Sequence, residues 1–254
     1  MVQRRAGSHL MSAFTESKTY RQCQALFDRW YPDFKNAGLR YQMLVDGALD
    51  ADKAVLELGC GAMSLAEDSL RRAKMSAGVD LVLSALQANT VVDYPILANS
   101  DHLPFASETF DVVISQWVIE HLPNPGQTFT EIARVLRPGG EIILFTTNAN
   151  NYIPLLSRLT PDRLQDDILE KVLHRPGHES FPTHYKANSR KALQHLAGQA
   201  GLHLEEVIFV GNPFYLAFSR PLFYLALLFE KLTDHARLQG LKLYLLAKLS
   251  KPAE

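Results

Sequence analysis

The residues best suited to chemistry lie around two glycines at the end of a short apolar run. The run 54–58 is followed by Gly59 and Gly61, and the acid Glu57 stands just before them. Glycines at such a place permit a tight turn and let a ligand approach the backbone closely. A carboxylate at the end of the run can accept hydrogen bonds from a ligand amine or from loop amides. The pattern therefore predicts a ligand-binding turn.

A second acid stands where it could contact the same ligand. Asp80 follows Gly59 by 21 positions and ends the next apolar run. A carboxylate at that place can accept both hydroxyls of a ribose. We also expect a helix over 64–73, capped by Ser64, whose first N–H groups point at the ligand and favour a carboxylate or other negative charge. These features indicate a site for a cofactor that carries a ribose.

Alternating strand-like and helix-like segments must position the turn. Short apolar runs predict strands at 54–58, 77–80, 94–98, 110–115 and 141–146. Helical patterns lie between or after them, at 64–73, 84–89, 127–136 and 189–200. This rhythm with short connections predicts a parallel sheet covered by helices on both faces. In such sheets a ligand binds beyond the carboxyl ends of the strands, at the switch point.

Further motifs recur at their expected places around this core. They are the segments Asn99-Ser-Asp-His-Leu-Pro-Phe105, Phe110-Asp111, Gln116-Trp-Val-Ile-Glu-His-Leu122 and Leu136-Arg-Pro-Gly-Gly140. Together with the turn they resemble the class I S-adenosylmethionine-dependent methyltransferases, in the broad small-molecule branch (type 11-like). The resemblance is close over 54–147 and looser to 210. It implies an α/β fold, a Rossmann-like doubly wound sheet of seven strands, mostly parallel with the last antiparallel, completed by strands at 203–210 and 241–249.

The same resemblance implies which residues bind S-adenosylmethionine. For the aminoacyl end the positions are Glu57, Gly59, Cys60 and Gly61; for the ribose and adenine they are Asp80, Leu81, Asn99, Ser100 and Asp101; Gln116 lines the pocket after the fourth strand. Cys60 is expected there for its size rather than its reactivity. No metal ligand set is expected.

Two departures from the family pattern bear on the site. Met63 stands where the family often has a third glycine, and Asn99 stands where an aspartate is common. An asparagine carbonyl can still accept the hydrogen bond of the adenine amine. NAD is the rival cofactor, but its fingerprint wants a third glycine where this chain has Ser64. Met63 keeps open the alternative of a non-catalytic cofactor-binding or scaffold protein.

Methyl transfer to an oxygen atom usually needs a base, and histidine is the natural choice near neutral pH. His121 follows the fourth strand, close to where the methyl group should lie, although it could equally be a packed helix residue. Residues 148–186 form a long polar excursion, which is typical of a functional loop or lid. It supplies further candidate bases, namely His174, His178, His184 and Tyr185. Trp117 either walls the pocket or packs in the core.

The composition limits where in the cell the protein is expected to act and what it is expected to bind. The 254-residue chain has a formal net charge of −1, so nothing global argues for a nucleic-acid partner. Its two cysteines, Cys23 and Cys60, exclude a disulfide framework or a four-cysteine zinc site. A reducing, cytoplasmic location is the simplest interpretation. The expected acceptor is a small-molecule, glycan or lipid-linked compound, methylated on oxygen, and the oligomeric state stays open.

We expect residues 1–12 to be a disordered leader and 13–254 to be a single methyltransferase domain. Its predicted parts are a helical cap at 13–50, a cofactor-binding core at 51–147, a lid at 148–186, and C-terminal helix and strands at 187–254 with an apolar insertion at 211–240. The insertion contains Pro221–Phe229, which is uncharged, apolar on every side and too short to span a membrane. It is either a helix packed in a core or dimer interface, or an interfacial helix or acceptor channel that gives peripheral membrane contact through 213–232.

Overall fold

The computed structural model describes residues 15, 17–159 and 181–253. Within them, one sheet contains seven strands: β1 Ala54–Leu58, β2 Met75–Asp80, β3 Tyr94–Leu97, β4 Phe110–Gln116, β5 Leu136–Thr147, β6 His203–Val210 and β7 Tyr244–Ser250. Their order is β3-β2-β1-β4-β5-β7-β6, and β7 is antiparallel to both its neighbours while the other pairs are parallel. The predicted Rossmann-like sheet of seven strands is confirmed. The order reverses between β1 and β4, which makes their carboxyl ends the switch point.

Most of the helices fall close to the predicted segments, but one lies at 152–159, within the predicted excursion. They are α1 Lys18–Trp30, α2 Ala37–Ala48, α3 Glu67–Arg72, α4 Leu83–Ala88, α5 Pro125–Val135, α6 Tyr152–Leu159, α7 Arg190–Gln199 and α8 Arg220–Thr233. In α5 the apolar positions Phe129 and Ile132 are fully buried, as their helical spacing requires. Ser189 caps α7 by accepting a hydrogen bond from the Ala192 amide at 3.2 Å. Local sequence signals therefore fixed most of the helix boundaries.

The predicted helix over 64–73 is wrong at its start. Helix α3 begins at Glu67, and Ala66 rather than Ser64 occupies the capping position. The Ser64 hydroxyl instead donates to the Glu57 carboxyl at 2.6 Å. The turn after β1 therefore continues without helix through 66, and the expected helix N–H groups do not lie directly at the glycines.

The chain divides into two compact units. One contains the described residues within 1–36, 150–181 and 211–243, and its small core is formed by Cys23, Phe27, Ala217, Phe223 and Leu227. The other contains residues 37–149, 182–210 and the described residues from Tyr244, and it holds the sheet. The leader at 1–12 and the candidates His174 and His178 lie outside the described residues. The boundaries of cap, core and lid within a single domain stay a prediction.

The sheet's core lies on both faces of the central strands. Every residue of β1 is buried, as expected for a parallel strand covered on two sides. On one face α5 and α7 pack against apolar side chains of the strands, and on the other α2 packs against β5. Asp111 and Arg137 of the family-like motifs form a paired contact with nitrogen–oxygen distances of 2.7 Å. Asp111 also accepts from the Ala54 amide at the start of β1. This pair therefore holds together the ends of β1 and β4 that lie opposite the glycine turn.

The long segment 148–186 begins and ends at neighbouring positions, the end of β5 and the start of α7. The Ala149 amide donates to the Asn188 carbonyl at 2.8 Å. The Asn188 side chain donates to the Thr146 hydroxyl at 2.6 Å and to the Thr147 carbonyl at 3.1 Å. The end of β5 and the start of α7 are therefore held together by their own hydrogen bonds.

Candidate active site

The turn after β1 is built so that only glycine fits at its start. Gly59 has a φ of +67°, and a Cβ placed on it would lie 2.1 Å from a methyl carbon of Val118. Its amide donates to the Val79 carbonyl at 2.7 Å, which binds the turn to the end of β2. Gly61 also has a positive φ, of +50°. The tight turn that the sequence predicted is present.

Asp80, the last residue of the neighbouring strand β2, is hydrogen-bonded to the glycine turn. One carboxylate oxygen accepts from the Gly61 amide at 2.9 Å, and the other accepts from the Val82 amide at 2.8 Å. Asp80 stays partly exposed, and Leu81 beside it is 57% exposed. The structure therefore brings Asp80 and the glycines together, with an exposed apolar side chain next to the carboxylate. This arrangement suits a ribose and the adenine ring attached to it.

Glu57 is fully buried at the end of β1. One carboxyl oxygen, Oε1, accepts from the Ser64 hydroxyl, whereas Oε2 has no hydrogen-bond partner among the described residues. Burial raises the pKa of Glu57 to about 8, with the Ser64 hydrogen bond opposing the shift and Asp80 adding to it. A buried carboxyl oxygen without a partner destabilises the protein until a partner reaches it, such as a cationic donor that displaces its proton. The ammonium of an aminoacyl group is such a donor, so the residues fit S-adenosylmethionine at this end.

Cys60 has a packing role. Its side chain is fully buried, and its sulfur lies so close to Gly78 that a Cβ there would be only 2.6 Å away. Burial, with smaller contributions from Glu57 and Asp80, raises the pKa of the Cys60 thiol to about 12. A thiol in this state is a poor nucleophile.

The segment after β3 is organised around its own hydrogen bonds. Asn99 is exposed, and its side-chain oxygen accepts from the Asp101 amide at 3.0 Å. The Asp101 carboxylate is buried and accepts from the Thr128 hydroxyl at 2.5 Å. Asp101 therefore fastens this segment to α5, while Asn99 and the partly exposed Ser100 remain on the accessible side.

Gln116 is the last residue of β4, at the switch point, and Trp117 follows it. The Gln116 side-chain oxygen accepts from the Leu65 amide at 3.2 Å, which connects the end of β4 to the glycine turn. Trp117 has a φ of +53°, an uncommon backbone conformation for a bulky residue, and its side chain is 44% exposed. Its ring centroid lies 4.8 Å from that of Phe145 on β5. Trp117 thus presents an exposed aromatic surface beside the turn.

The segments that carry the candidate bases are joined into one cluster, mainly by backbone hydrogen bonds. The Glu120 carbonyl accepts from the His184 amide at 2.7 Å and from the Tyr185 amide at 3.1 Å. His121 Nδ1 lies 3.2 Å from the Pro182 carbonyl oxygen. A carbonyl oxygen only accepts, so Nδ1 is the donor in this contact. The sequence named His121, His184 and Tyr185 separately, and the structure brings them together.

Glu120 anchors this cluster from within the core. Its carboxyl group is buried and accepts from the Thr146 hydroxyl at 2.6 Å. Burial raises the pKa of Glu120, because the charged form is poorly solvated there. Thr146 in turn accepts from Asn188. Glu120 was not predicted as a site residue, because a segment as short as this turn has no periodicity that shows which side chains are buried.

Comparison with known proteins identifies the family. Residues 56–144 match the family model described as a methyltransferase domain. The chain is 30% identical over 165 residues to the ubiquinone biosynthesis O-methyltransferase of Thiobacillus denitrificans, a match that covers 62% of this chain and 67% of that protein. The chain belongs to the class I S-adenosylmethionine-dependent methyltransferases.

Two further matches support this methyltransferase assignment. The ubiquinone biosynthesis O-methyltransferase of Hydrogenovibrio crunogenus is 28% identical over 163 residues, which cover 61% of this chain and 64% of that protein, slightly less than two thirds of it. A solved S-adenosylmethionine-dependent methyltransferase from Methanosarcina mazei has a TM-score of 0.55 at 18% identity, covering 83% of this chain and 98% of that one. The fold and the family expected from the sequence are confirmed, and the family is one that uses S-adenosylmethionine.

A buried residue outside the predicted set of site residues also lacks a hydrogen-bond partner. Tyr41 on α2 is fully buried and its hydroxyl has no hydrogen-bond partner among the described residues. Helical spacing could have predicted its burial but not the missing partner. In the ranges 17–159 and 181–253, no group of three or more His, Cys, Asp or Glu side chains could hold a metal ion.

Proposed function

We propose that this methyltransferase transfers the methyl group to an oxygen atom of a small-molecule, glycan or lipid-linked acceptor. The observation that carries the proposal is the cluster at the end of β4, where His121 lies against Pro182 and Glu120 holds His184 and Tyr185. A base beside the methyl group is what a hydroxyl acceptor requires. The similarity to two O-methyltransferases of ubiquinone biosynthesis supports oxygen as the accepting atom.

The roles of the residues follow from their positions. Bound S-adenosylmethionine supplies an electrophilic methyl group. In our proposal Asp80 holds the ribose, Glu57 accepts from the ammonium, and Leu81, Asn99 and Ser100 lie along the adenine. Nε2 of His121 takes the proton of the acceptor hydroxyl, while Trp117 forms an apolar wall that keeps water away from the reacting atoms.

The test is methyl transfer from labelled S-adenosylmethionine to a panel of acceptors. The panel contains catechols and other phenols, sugar hydroxyls and lipid-linked glycans, and mass spectrometry locates the label in each product. Label on an oxygen atom supports the proposal. Label found only on nitrogen or carbon would contradict the role given to His121.

A non-catalytic cofactor-binding protein is the competing function, and Met63 is the reason to consider it. The Met63 side chain is 79% exposed, so the turn geometry is set by Gly59 and Gly61 rather than by this side chain. Tight binding of the cofactor without any labelled product, from the panel or from a whole-cell metabolite extract, would favour this competing function.

We further propose that this cytoplasmic methyltransferase contacts membranes peripherally through residues 213–232. Helix α8 has two different faces. Its inner face, with Phe223 and Leu227, is buried in the small core. Its outer face carries exposed leucines, namely Leu222, Leu225, Leu228 and Leu232, with exposed fractions between 39% and 60%. No described helix is long and apolar enough to cross a membrane.

Two arginines of the same compact unit would favour an anionic surface. Arg29 on α1 and Arg220 on α8 line a cleft of about 680 Å³ together with Phe223 and Tyr224. Exposed leucines and basic residues are both features of an interfacial helix on anionic lipid, where each basic residue near the surface contributes roughly 1 kcal/mol. Such contact would suit a lipid-linked acceptor.

Vesicle sedimentation tests the membrane contact. The wild type should sediment with phosphatidylglycerol vesicles, less so as salt rises, and poorly with phosphatidylcholine vesicles. A double change of Leu225→Asp and Leu228→Asp removes exposed side chains only, so the protein should fold and lose sedimentation. Leu83→Asp, at a leucine that is 53% exposed on α4, is the control. Wild-type protein that stays in the supernatant with every vesicle would refute the contact.

A further inference from the structure

Helices α1 and α8 pack side by side and leave a cleft between them. The Cys23 sulfur lies 3.8 Å from the Ala217 carbonyl oxygen, just before α8, and the ring centroids of Trp30 and Tyr224 are 5.9 Å apart. The cleft has a volume of about 680 Å³. Small-molecule sites in proteins typically have volumes of roughly 300–1,000 Å³, so one small organic ligand fits this cleft.

Much of the cleft's lining is apolar. Cys23 and Phe223 belong to the buried core of this unit, and Leu26 packs against that core. Ala25 is exposed beside Leu26, and its one-carbon side chain leaves room in the cleft. An apolar chain or ring that lies against these residues is removed from water, which favours binding.

Two arginines supply the charge of the cleft. Arg29 and Arg220 both line it, and no acidic side chain does so in the described part of the chain. Neither guanidinium forms an ion pair or a hydrogen bond with any residue that the structure describes. Arg220 also begins α8, whose cap Ser219 makes no side-chain hydrogen bond, and the start of a helix favours negative charge. The cleft is therefore complementary to an acid group, which guanidinium groups bind through charge-assisted hydrogen bonds.

We propose that this cleft binds one amphipathic anion, an organic phosphate or carboxylate with an apolar chain or ring. The acid group lies between Arg29 and Arg220, and the apolar part lies against Leu26 and Phe223. None of the exposed leucines on the outer face of α8 lines the cleft, so its occupant is a single dissolved molecule rather than a membrane surface. The cleft also shares no residue with the glycine turn or with the cluster at the end of β4, so binding there is a further function of the chain.

Three probes test the two halves of this site separately. Octyl phosphate carries both an apolar chain and an acid group, whereas octanol carries only the chain and inorganic phosphate only the acid. Trp30, which packs against Tyr224 of the cleft, reports binding by its fluorescence once Trp117→Phe has removed the chain's other tryptophan. Octyl phosphate, added below the concentration at which it forms micelles, should bind about tenfold or more tightly than either of the other probes.

Substitutions in the Trp117→Phe protein identify the groups that bind. Arg29→Gln and Arg220→Gln should each weaken octyl phosphate about tenfold, the effect of losing a hydrogen bond to a charged group, and together about 100-fold. Ala25→Phe fills the cleft without changing its charge and should also weaken binding. Arg237→Gln is the control, because Arg237 is an exposed arginine of the same unit that does not line the cleft. All the substituted cleft residues are exposed, so unchanged melting temperatures should show that the variants are folded.

Three results would overturn the site and leave the proposed methyl transfer standing. The first is octyl phosphate that binds no better than octanol, or that keeps its affinity in the double arginine variant. The second is equal binding of octyl phosphate and inorganic phosphate, which would show an adventitious ion only. The third is no binding of octyl phosphate while Arg29→Gln with Arg220→Gln reduces sedimentation with phosphatidylglycerol vesicles, which would assign the arginines to a membrane surface.

Discussion

Cofactor affinity should depend on pH through Glu57. In the ligand-free protein its pKa is raised to about 8, so the carboxyl keeps its proton at neutral pH. An ammonium next to Oε2 favours the ionised form, and binding therefore releases this proton. The stability of the ligand-free protein has the opposite trend. Because the folded pKa exceeds the ordinary 4.5, the contribution of Glu57 is complete below that value and declines as the pH rises to about 8.

The size of this pH effect on cofactor affinity follows from the fraction of Glu57 that is ionised before the cofactor binds. Glu57 must lose its proton when the ammonium binds. With a pKa of about 8, this requirement lowers the affinity for the cofactor about 100-fold at pH 6 and about twofold at pH 8. Wild-type affinity for S-adenosylhomocysteine should therefore rise about fiftyfold over this range. Glu57→Gln has no group to ionise, so its affinity should change little with pH and should be the weaker one at pH 8.

Calorimetry in two buffers with different ionisation enthalpies measures both the affinity and the proton. Near pH 6 the wild type should release about one proton on binding, and Glu57→Gln should release none. Glu67→Gln is the matched control, since Glu67 is an acid on the nearby α3 that forms an exposed pair with Arg71. An affinity ratio between wild type and Glu57→Gln that stays constant from pH 6 to pH 8, without proton release, would refute the reasoning.

Three further changes test other parts of the molecule. Asp80→Ala removes the ribose acceptor and should weaken the cofactor about tenfold or more by calorimetry; a folded variant with unchanged affinity would contradict its placement. His121→Gln should slow turnover of a hydroxyl acceptor about 100-fold in a radiolabel assay while cofactor affinity stays constant, and near-normal turnover would place the base elsewhere. Gly211→Ala would put a Cβ 1.7 Å from a carboxyl oxygen of Glu230 and should lower the melting temperature by several degrees, about 4 °C or more. Gly198→Ala, with nothing within 4 Å, is its control and should not destabilise the protein.

The sheet was predictable because its strands are short apolar runs between turn residues. Runs such as 54–58 and 110–115 have few alternatives to a buried parallel strand, and the structure places strands there. The turn was predictable for a similar reason, since Gly59 and Gly61 both adopt positive φ values that glycine favours.

Side-chain partners were harder to predict, because a polar group can choose among several. Ser64 could cap a helix or bond to Glu57, and in the structure its hydroxyl donates to Oε1 of the buried Glu57 carboxyl. Asp101 could face a ligand or bond to Thr128, which lies 27 residues later in the chain. Such choices depend on contacts between distant segments, which spacing along the sequence does not reveal.

The hydrogen bond between Ala149 and Asn188 separates the length of the chain between them from the geometry of the sheet. The end of β5 and the start of α7 are joined by bonds of their own, from the Ala149 amide and from the Asn188 side chain to Thr146 and Thr147. We therefore expect that related chains can differ in length between these two anchors while the sheet and the glycine turn keep their geometry.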